Sequence, residues 1–561
     1  MWEQARRYVA LSYLNLSEAV LRTVGRRPSY GVLEIEMSGD LGEEPGVYRL
    51  LRMSQRQRLD HFNLIALLRW ARSDPDLRGV FIRCSDLRVG WAKAQEVSRS
   101  IRALRSAGKR VWVYLTHAGI REYVIASAAD RVVLTPVGTL DVTGVSTEVT
   151  FIAGTLRKLG IEAEVVQMGK YKSAAETFTH TQMSEAHREM MEGLVQDLYD
   201  QVVDAIASGR GLDAAGVRER LDCGPFVARE ALEARLIDAL MYEDEAAEKL
   251  RELCGGAAAI EALDYLQRRG RWVRRQVLRR CSPTIAVLHV AGTLKMGDSV
   301  PGPDVASACG AGSVARDLKQ LRERSDVRGV VLRISSPGGS GLASDLIWHE
   351  VVRTRRCKPV VVSFGDVAAS GGYYVAVAAR PVVAEAGTLT GSIGVIAGKA
   401  VLRGLYEQLG VTKQVITRGR HAALYSDYIP LGAEERQRLQ TEAERFYADF
   451  LDRVSSGREM STETVSSVAQ GRVWTGRQAQ SIGLVDQLGG VEQATEQLKK
   501  LCGLSPDELV AVERYPKPKR LWRLSFNLSP IQSHSATPLS WIRFFSGERV
   551  WALLPFDFRF F

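Results

Sequence analysis

A short motif near the start of the chain returns 250 residues later, as Asp76-Leu-Arg-Gly-Val80 and then Asp326-Val-Arg-Gly-Val330. Five further pairs keep the same order. Gly138-Thr-Leu140 matches Gly387-Thr-Leu389, Leu159-Gly160 matches Leu409-Gly410, and Ser208-Gly-Arg210 matches Ser456-Gly-Arg458. Leu236-Ile-Asp238 matches Leu484-Val-Asp486, and Leu253-Cys-Gly255 matches Leu501-Cys-Gly503, with the shift drifting only between 248 and 250. Self-similarity at a fixed period restricts the fold to two copies of one unit, each long enough to bury a core of its own. The copies are placed at 30–265 and 283–518. An amphipathic helix over 1–29 precedes them, an Arg-rich linker over 266–282 joins them, and an aromatic and basic tail over 519–561 follows.

Each copy reads as α/β. In the first, short apolar runs at Val32–Met37, Gly79–Cys84, Arg110–Leu115 and Arg131–Thr135 alternate with helical patterns at Leu59–Ser73, Ala92–Ala107 and Ile120–Ala129. The second repeats the scheme with runs at Thr284–Val290, Gly329–Ile334, Pro359–Phe364 and Val382–Ala384, and helices around Gly312–Arg324 and Leu342–Arg355. Such alternation predicts mostly parallel sheets flanked by helices.

Charge and cysteine content exclude several classes. The formal charge of +10 owes much to Arg268, Arg269, Arg271, Arg274, Arg275, Arg279 and Arg280. These arginines lack the aromatic interleaving of a nucleic-acid surface, so no nucleic-acid partner is expected, and a solvated linker or a membrane-surface contact fits them better. Seven scattered cysteines with no C-x-x-C pair suggest neither a zinc site nor a disulfide framework. His180, Glu185 and His187 hint at metal spacing but lack the H-E-x-x-H order, and read as surface residues at a helix start. No metal and no organic cofactor is expected. No window is long and apolar enough for a transmembrane span, which leaves a membrane-associated or soluble protein.

The repeat register singles out two residues. Ser370 lies in Asp366-Val-Ala-Ala-Ser-Gly-Gly-Tyr-Tyr-Val-Ala376, at the junction of an apolar run and an alanine-rich helix. There a serine either caps the helix or is presented as a nucleophile. Its counterpart in the first copy is Ile120. Lys172, in Gly169-Lys-Tyr-Lys-Ser-Ala-Ala-Glu176, stands opposite Ala422. One copy keeps the lysine and the other the serine, a division of labour that a surface lysine or a capping serine would not explain.

From about Tyr30 to Pro518 the chain resembles the long, two-domain form of the signal peptide peptidase A (protease IV) family, Ser/Lys serine proteases related to Clp protease and the crotonases. The resemblance rests on Ser336-Pro-Gly-Gly-Ser340, Ala369-Ser-Gly-Gly-Tyr-Tyr374, Leu389-Thr-Gly-Ser-Ile-Gly-Val395 and Gly169-Lys-Tyr-Lys-Ser-Ala174, with Glu176 and Phe178 close behind. It implies a tandem duplication of a Clp protease/crotonase-like domain. It also implies an endopeptidase for hydrophobic segments such as released signal peptides, and a bowl-like homo-oligomer, a tetramer, with possible peripheral membrane contact. Ser370 takes the place of the nucleophile, Lys172 that of the general base and Ser392 that of a lysine-orienting hydroxyl.

Elementary chemistry agrees with those roles. A lysine accepts a proton only when neutral, so Lys172 has to sit in a desolvated place that lowers its pKa by several units, whereas Lys170 reads as a solvated surface charge. Backbone N–H groups of Gly338, Gly339 and Gly371 are placed to hold the oxyanion. The first copy has Cys84-Ser-Asp-Leu-Arg-Val-Gly90 where the second has Pro-Gly-Gly. Two departures from the family are Ser335, commonly asparagine in relatives, and an N-terminus without the familiar membrane anchor.

Three alternatives compete. A Ser370/His421 pair supported by Asp427 is conceivable, although His421 aligns with Tyr171 and not with the base. A crotonase-like acyl-CoA enzyme uses similar Gly-rich donors, and a non-catalytic scaffold needs no Ser/Lys pair. The tail from Leu521, with Trp522, Phe526, Trp541, Phe544, Phe545, Trp551, Phe556, Phe558, Phe560 and Phe561 among arginines, suits docking on a membrane interface or a neighbouring subunit.

Overall fold

The computed structural model describes residues 30–43, 59–300, 308–517, 550–553 and 559–560. The expected N-terminal helix over 1–29 and most of the aromatic tail lie outside the described residues.

Every anticipated strand and helix of the two copies forms, several with longer bounds. In the first copy the strands Tyr30–Asp40, Gly79–Arg88, Arg110–Gly119 and Arg131–Asp141 lie side by side and parallel. Ala258–Glu261 adds in parallel beside Tyr30–Asp40, and Phe226–Val227 adds antiparallel at the far edge. The second copy repeats the order with Ala511–Tyr515, Thr284–Ala291, Val327–Ser336, Val360–Ala369 and Leu389–Gly391, closed by the antiparallel Val473–Thr475. Parallel strands covered on both faces must be apolar throughout. Thr284–Ala291 is accordingly buried along almost its whole length.

The same tertiary bonds recur at the repeat spacing. The Tyr123 hydroxyl donates to the Leu236 carbonyl at 2.6 Å, and the Tyr373 hydroxyl to the Leu484 carbonyl at 2.8 Å. Arg210 pairs with Asp238 at 2.8 Å while Asp238 accepts from the Val132 N–H. Arg458 pairs with Asp486 at 2.7 Å while Asp486 accepts from the Val382 N–H.

A third, six-stranded sheet belongs to neither copy alone. Glu162–Met168 of the first copy runs antiparallel to Val395–Val401 of the second, from Val395 opposite Met168 to Val401 opposite Glu162. The same sheet contains Thr293–Lys295, the glycine strand Gly338–Ser340 and, from the tail, Val550–Leu553. One apolar core runs through the seam, joining Ile101, Leu104 and Leu198 to Val331, Val361 and Leu498.

Polar groups also cross the seam. Buried Arg333 of the second copy grips Glu43 of the first through two hydrogen bonds at 2.9 and 3.2 Å, and lies 3.3 Å from Glu96. Glu96 also pairs with His61 at 2.9 Å and accepts from the Val491 N–H at 2.7 Å. Burial pushes the Glu43 carboxyl upward, but Arg333 and Lys93 outweigh it and hold the group well below the usual range. Breaking one partner of a buried set of this kind typically costs about 3–5 kcal/mol, so the cluster locks one docking of the two copies.

The Arg-rich segment expected as a linker is helical, Ala262–Arg280. Its first turns pack: Tyr265 is buried and its hydroxyl donates to Asp74 at 2.9 Å. Two parts of the tail, Val550–Leu553 and Arg559–Phe560, pair with strands of their own chain.

Candidate active site

Ser370 ends the Val360–Ala369 strand and precedes the helix Gly371–Ala376. Its backbone sits at φ 54°, ψ −115°, a region that side-chain-bearing residues rarely enter. Strain of this kind costs roughly 1–3 kcal/mol and persists only where the surroundings impose it. Here the Ser370 N–H donates to the Gly391 carbonyl at 2.8 Å, and the Ser370 carbonyl accepts from the Tyr374 N–H at 2.8 Å. Its hydroxyl caps nothing: the helix N-cap shows no side-chain hydrogen bond. Between the two readings the sequence left open, the geometry excludes the helix cap.

The hydroxyl instead meets Lys172. Lys172 Nζ lies 2.7 Å from Ser370 Oγ, 2.9 Å from Ser392 Oγ and 2.9 Å from the Ser392 carbonyl oxygen. Lys172, Ser370 and Ser392 are all 0% exposed. Burial alone holds the Lys172 pKa well below the ordinary lysine value. The amine lies within hydrogen-bond distance of three oxygens, two of Ser392 and one of Ser370, and a lysine that has lost its proton keeps two N–H donors and one lone pair to share among them. Lys170, by contrast, points outward with its side chain 65% exposed.

The lysine is fixed from both copies. The turn before it is closed by Lys172 N–H donating to the Gly169 carbonyl at 3.1 Å, and Tyr171 N–H donates across the seam to Gln470 at 2.7 Å. Gly471 N–H donates to the Ile393 carbonyl at 2.7 Å, and Ser392 N–H to the Arg472 carbonyl at 2.7 Å. A Cβ on Gly471, at φ +77°, would stand 2.5 Å from the Lys172 nitrogen. Only glycine lets these chains approach so closely. Gln470-Gly471-Arg472 was missed in the sequence, where a lone glycine after a polar helix carries no signal beyond that of a turn.

Behind the lysine, the Glu176 carboxylate accepts from Ser184 N–H at 3.1 Å, Ser184 Oγ at 2.7 Å and His187 Nδ1 at 2.9 Å. Burial pushes the Glu176 pKa up, but these bonds outweigh it and bring it below the usual value. His187, read from the sequence as a surface residue, is therefore buried; its partner Glu176 makes that burial tolerable.

Gly338 and Gly339 lie beside the site with φ of +103° and +153°. A Cβ on Gly339 would meet the Leu294 carbonyl oxygen at 2.1 Å. The Gly338 N–H donates to Ser336 Oγ at 3.1 Å, so this group shapes the loop and is not a free donor. Gly371 opens the helix directly after Ser370, where a first-turn N–H has no partner within the helix.

The competing His421 does not reach Ser370. Its ring nitrogens face Glu435 at 3.2 Å and Arg438 at 3.1 Å, and Asp427 is taken by Lys413 and Tyr406.

Comparison with known proteins agrees with the repeat. Peptidase family S49 is matched twice, over residues 103–255 and 353–505. The chain is 33% identical over 456 residues to "Serine protease SPPA, chloroplastic" of Arabidopsis thaliana, covering 80% of this chain and 66% of that protein. It is 29% identical over 500 residues to "Protease 4" of Salmonella typhi, covering 84% of this chain and 79% of that one. Among solved structures, ClpP1 from Listeria monocytogenes overlaps 36% of this chain and 89% of its own at 16% identity, with a TM-score of 0.21.

Proposed function

The chain belongs to peptidase family S49 and is a serine peptidase; from that premise we propose that it is an endopeptidase whose nucleophile is Ser370 and whose general base is Lys172. The observation that carries this reading is the 2.7 Å contact between a strained serine hydroxyl and a fully buried lysine amine. Lys172 takes the hydroxyl proton as Ser370 Oγ attacks the scissile carbonyl, and the resulting ammonium returns it to the leaving amine. Water then releases the acyl group by the same relay. Ser392 holds the amine with its lone pair toward Ser370. Gly371 and Gly339 are the proposed donors to the oxyanion, each worth about 2.7–4 kcal/mol of transition-state stabilisation.

The substrates are hydrophobic peptide segments, signal peptides among them, as the family resemblance implies. The functional halves are the repeats at 30–265 and 283–518. Among the described residues no helix is long and apolar enough to cross a membrane. A fluorophosphonate probe should label the protein at Ser370, and labelling and cleavage of a hydrophobic peptide should both vanish in Ser370→Ala and in Lys172→Ala. Full hydrolysis by both variants would defeat the mechanism. Turnover of an acyl-CoA without proteolysis would transfer the site to the crotonase reading.

A homo-oligomer, a tetramer by resemblance, belongs to the same proposal. The repeat makes 412–418 the counterpart of Glu162–Met168, and 145–151 the counterpart of Val395–Val401. Glu162–Met168 and Val395–Val401 are joined within the chain, whereas no strand forms over 412–418. Ile416 is 87% exposed, with Leu409, Val411 and Val415 exposed beside it. A head-to-tail contact between copies would repeat the internal pairing. Ile416→Asp should then lower the oligomer mass in sedimentation or light scattering; an unchanged mass would remove this support.

A further inference from the structure

The tail strand Val550–Leu553 fills a slot in the wall of the proposed active site. On one side it runs antiparallel to the glycine strand, with Leu553 opposite Gly338, Ala552 opposite Gly339 and Trp551 opposite Ser340. On the other it runs antiparallel to Val395–Val401, with Trp551 opposite Ile396 and Val550 opposite Ala397. In the order of the sheet it is the single strand between those two. Without it their edges would face each other across roughly two strand spacings, about 9–10 Å. Such a slot receives any extended peptide through main-chain hydrogen bonds on both sides, with side chains left to set preference.

The position of this slot is what matters. Gly339 is a proposed oxyanion donor, and Ser392, which holds Lys172, lies three residues before the strand Val395–Val401. The tail segment Val550-Trp-Ala-Leu-Leu-Pro-Phe556 is uncharged and apolar, matching the proposed substrates. Beyond it, Arg559–Phe560 pairs antiparallel with Thr147–Glu148 of the first repeat. The tail is thus fastened on both copies, by Val550–Leu553 in the slot and by Arg559–Phe560 on the first repeat.

We propose that Val550–Leu553 is a built-in competitor: it occupies the peptide-binding slot of the Ser370 site, and substrates enter as an added strand by displacing it. This rests on the Ser/Lys reading above. A tethered segment acts at an effective concentration of order millimolar, so even a weak occupant raises the apparent KM of an incoming peptide substantially.

The test uses the full chain carrying Trp551→Pro, which removes a ladder N–H in the middle of the strand. A chain ending at residue 517 and a synthetic peptide of residues 546–556 complete the set. Trp551→Pro and the shortened chain should cleave a hydrophobic fluorogenic peptide with KM lowered about tenfold and kcat unchanged. They should also react faster with fluorophosphonate at Ser370. The synthetic peptide should inhibit the shortened chain competitively. If both altered chains label at Ser370 with wild-type KM, the competitor is overturned and the Ser/Lys reading stands. A KM that rises, with the synthetic peptide inert, also overturns it and leaves the strand a supporting role. Absence of Ser370 labelling in every form, wild type included, removes the reading beneath. A labelling rate that rises on dilution would assign the tail to a neighbouring copy and overturn its placement within one chain.

Discussion

The two copies share a frame and part most sharply at one turn. Both present a strand, a sharp corner and a short helix whose tyrosine bonds a carbonyl of a later turn: Tyr123 to Leu236, Tyr373 to Leu484. In the first copy the corner residue Gly119 is extended, and buried Ile120 starts the helix. In the second, Ser370 takes the corner at positive φ and turns its hydroxyl toward Lys172. The preceding strands differ in the same sense. Gly79–Arg88 runs on, with Leu87 and Arg88 paired to Gly39 and Asp40, whereas Val327–Ser336 stops at Pro337 and resumes as the glycine strand. What was duplicated is the scaffold; the proposed nucleophile and the proposed base each stand in one copy only, and the seam brings them together.

The sharpest way to break this comparison is to remove either half of the pair. Ser370→Ala and Lys172→Ala should each lower kcat/KM at least about a thousandfold, while Ile120→Ser should create no second reactive serine in probe labelling. Labelling at residue 120 would show that the first copy lacks only its nucleophile. Next comes the clamp. Gly471→Ala, which crowds the Lys172 backbone from the other copy, should cost about a hundredfold in kcat with thermal stability moving far less, since roughly an ångström of misplacement suffices for such a loss.

The duplicated ion pairs give a smaller, two-sided test. Arg210→Ala should destabilise by about 2–3 kcal/mol in denaturant unfolding. Arg458→Ala should cost about 1 kcal/mol less, because Arg380 still holds Asp486 at 2.9 Å. Equal losses would mean that Arg380 contributes nothing.

The smallest effect concerns the lysine. As the proposed general base Lys172 must be neutral to act, so kcat/KM should rise with pH as it loses its proton, on a limb below the usual lysine range. The folded chain disfavours a proton that the unfolded chain binds. Stability should therefore also rise with pH up to that usual range and then flatten. Lys172→Met should erase this slope and, by sparing the desolvated amine, raise stability near neutral pH by about 1–2 kcal/mol in denaturant titration while abolishing activity.

How much of this was legible in the sequence follows from the kind of signal each feature leaves. Apolar runs such as Thr284–Val290 announce buried parallel strands, and the register comparison exposed Ser370 and Lys172 because a repeat supplies its own reference. Arg333 gave no such sign: a charged residue inside a strand reads as an outward face until Glu43 and Glu96 are seen beside it. His187 was misplaced for the same reason, since its burial depends on Glu176. Gly471 and the tail strand act through pairings with distant backbone, which periodicity does not encode. Gly338 looked like a donor from its motif, yet its N–H is consumed by the serine two residues earlier.

The pairing of Glu162–Met168 with Val395–Val401 also sets an order in time. Chains fold as they leave the ribosome, first half first. The lysine copy can bury its own core while its amine still lacks Ser370, Ser392 and the Gln470–Gly471 clamp. The proposed Ser370/Lys172 pair can therefore be assembled only after about residue 472 has emerged and the two halves have closed on each other. On the proposed mechanism a nascent chain carries no armed nucleophile, and a chain truncated in its second half stays chemically silent.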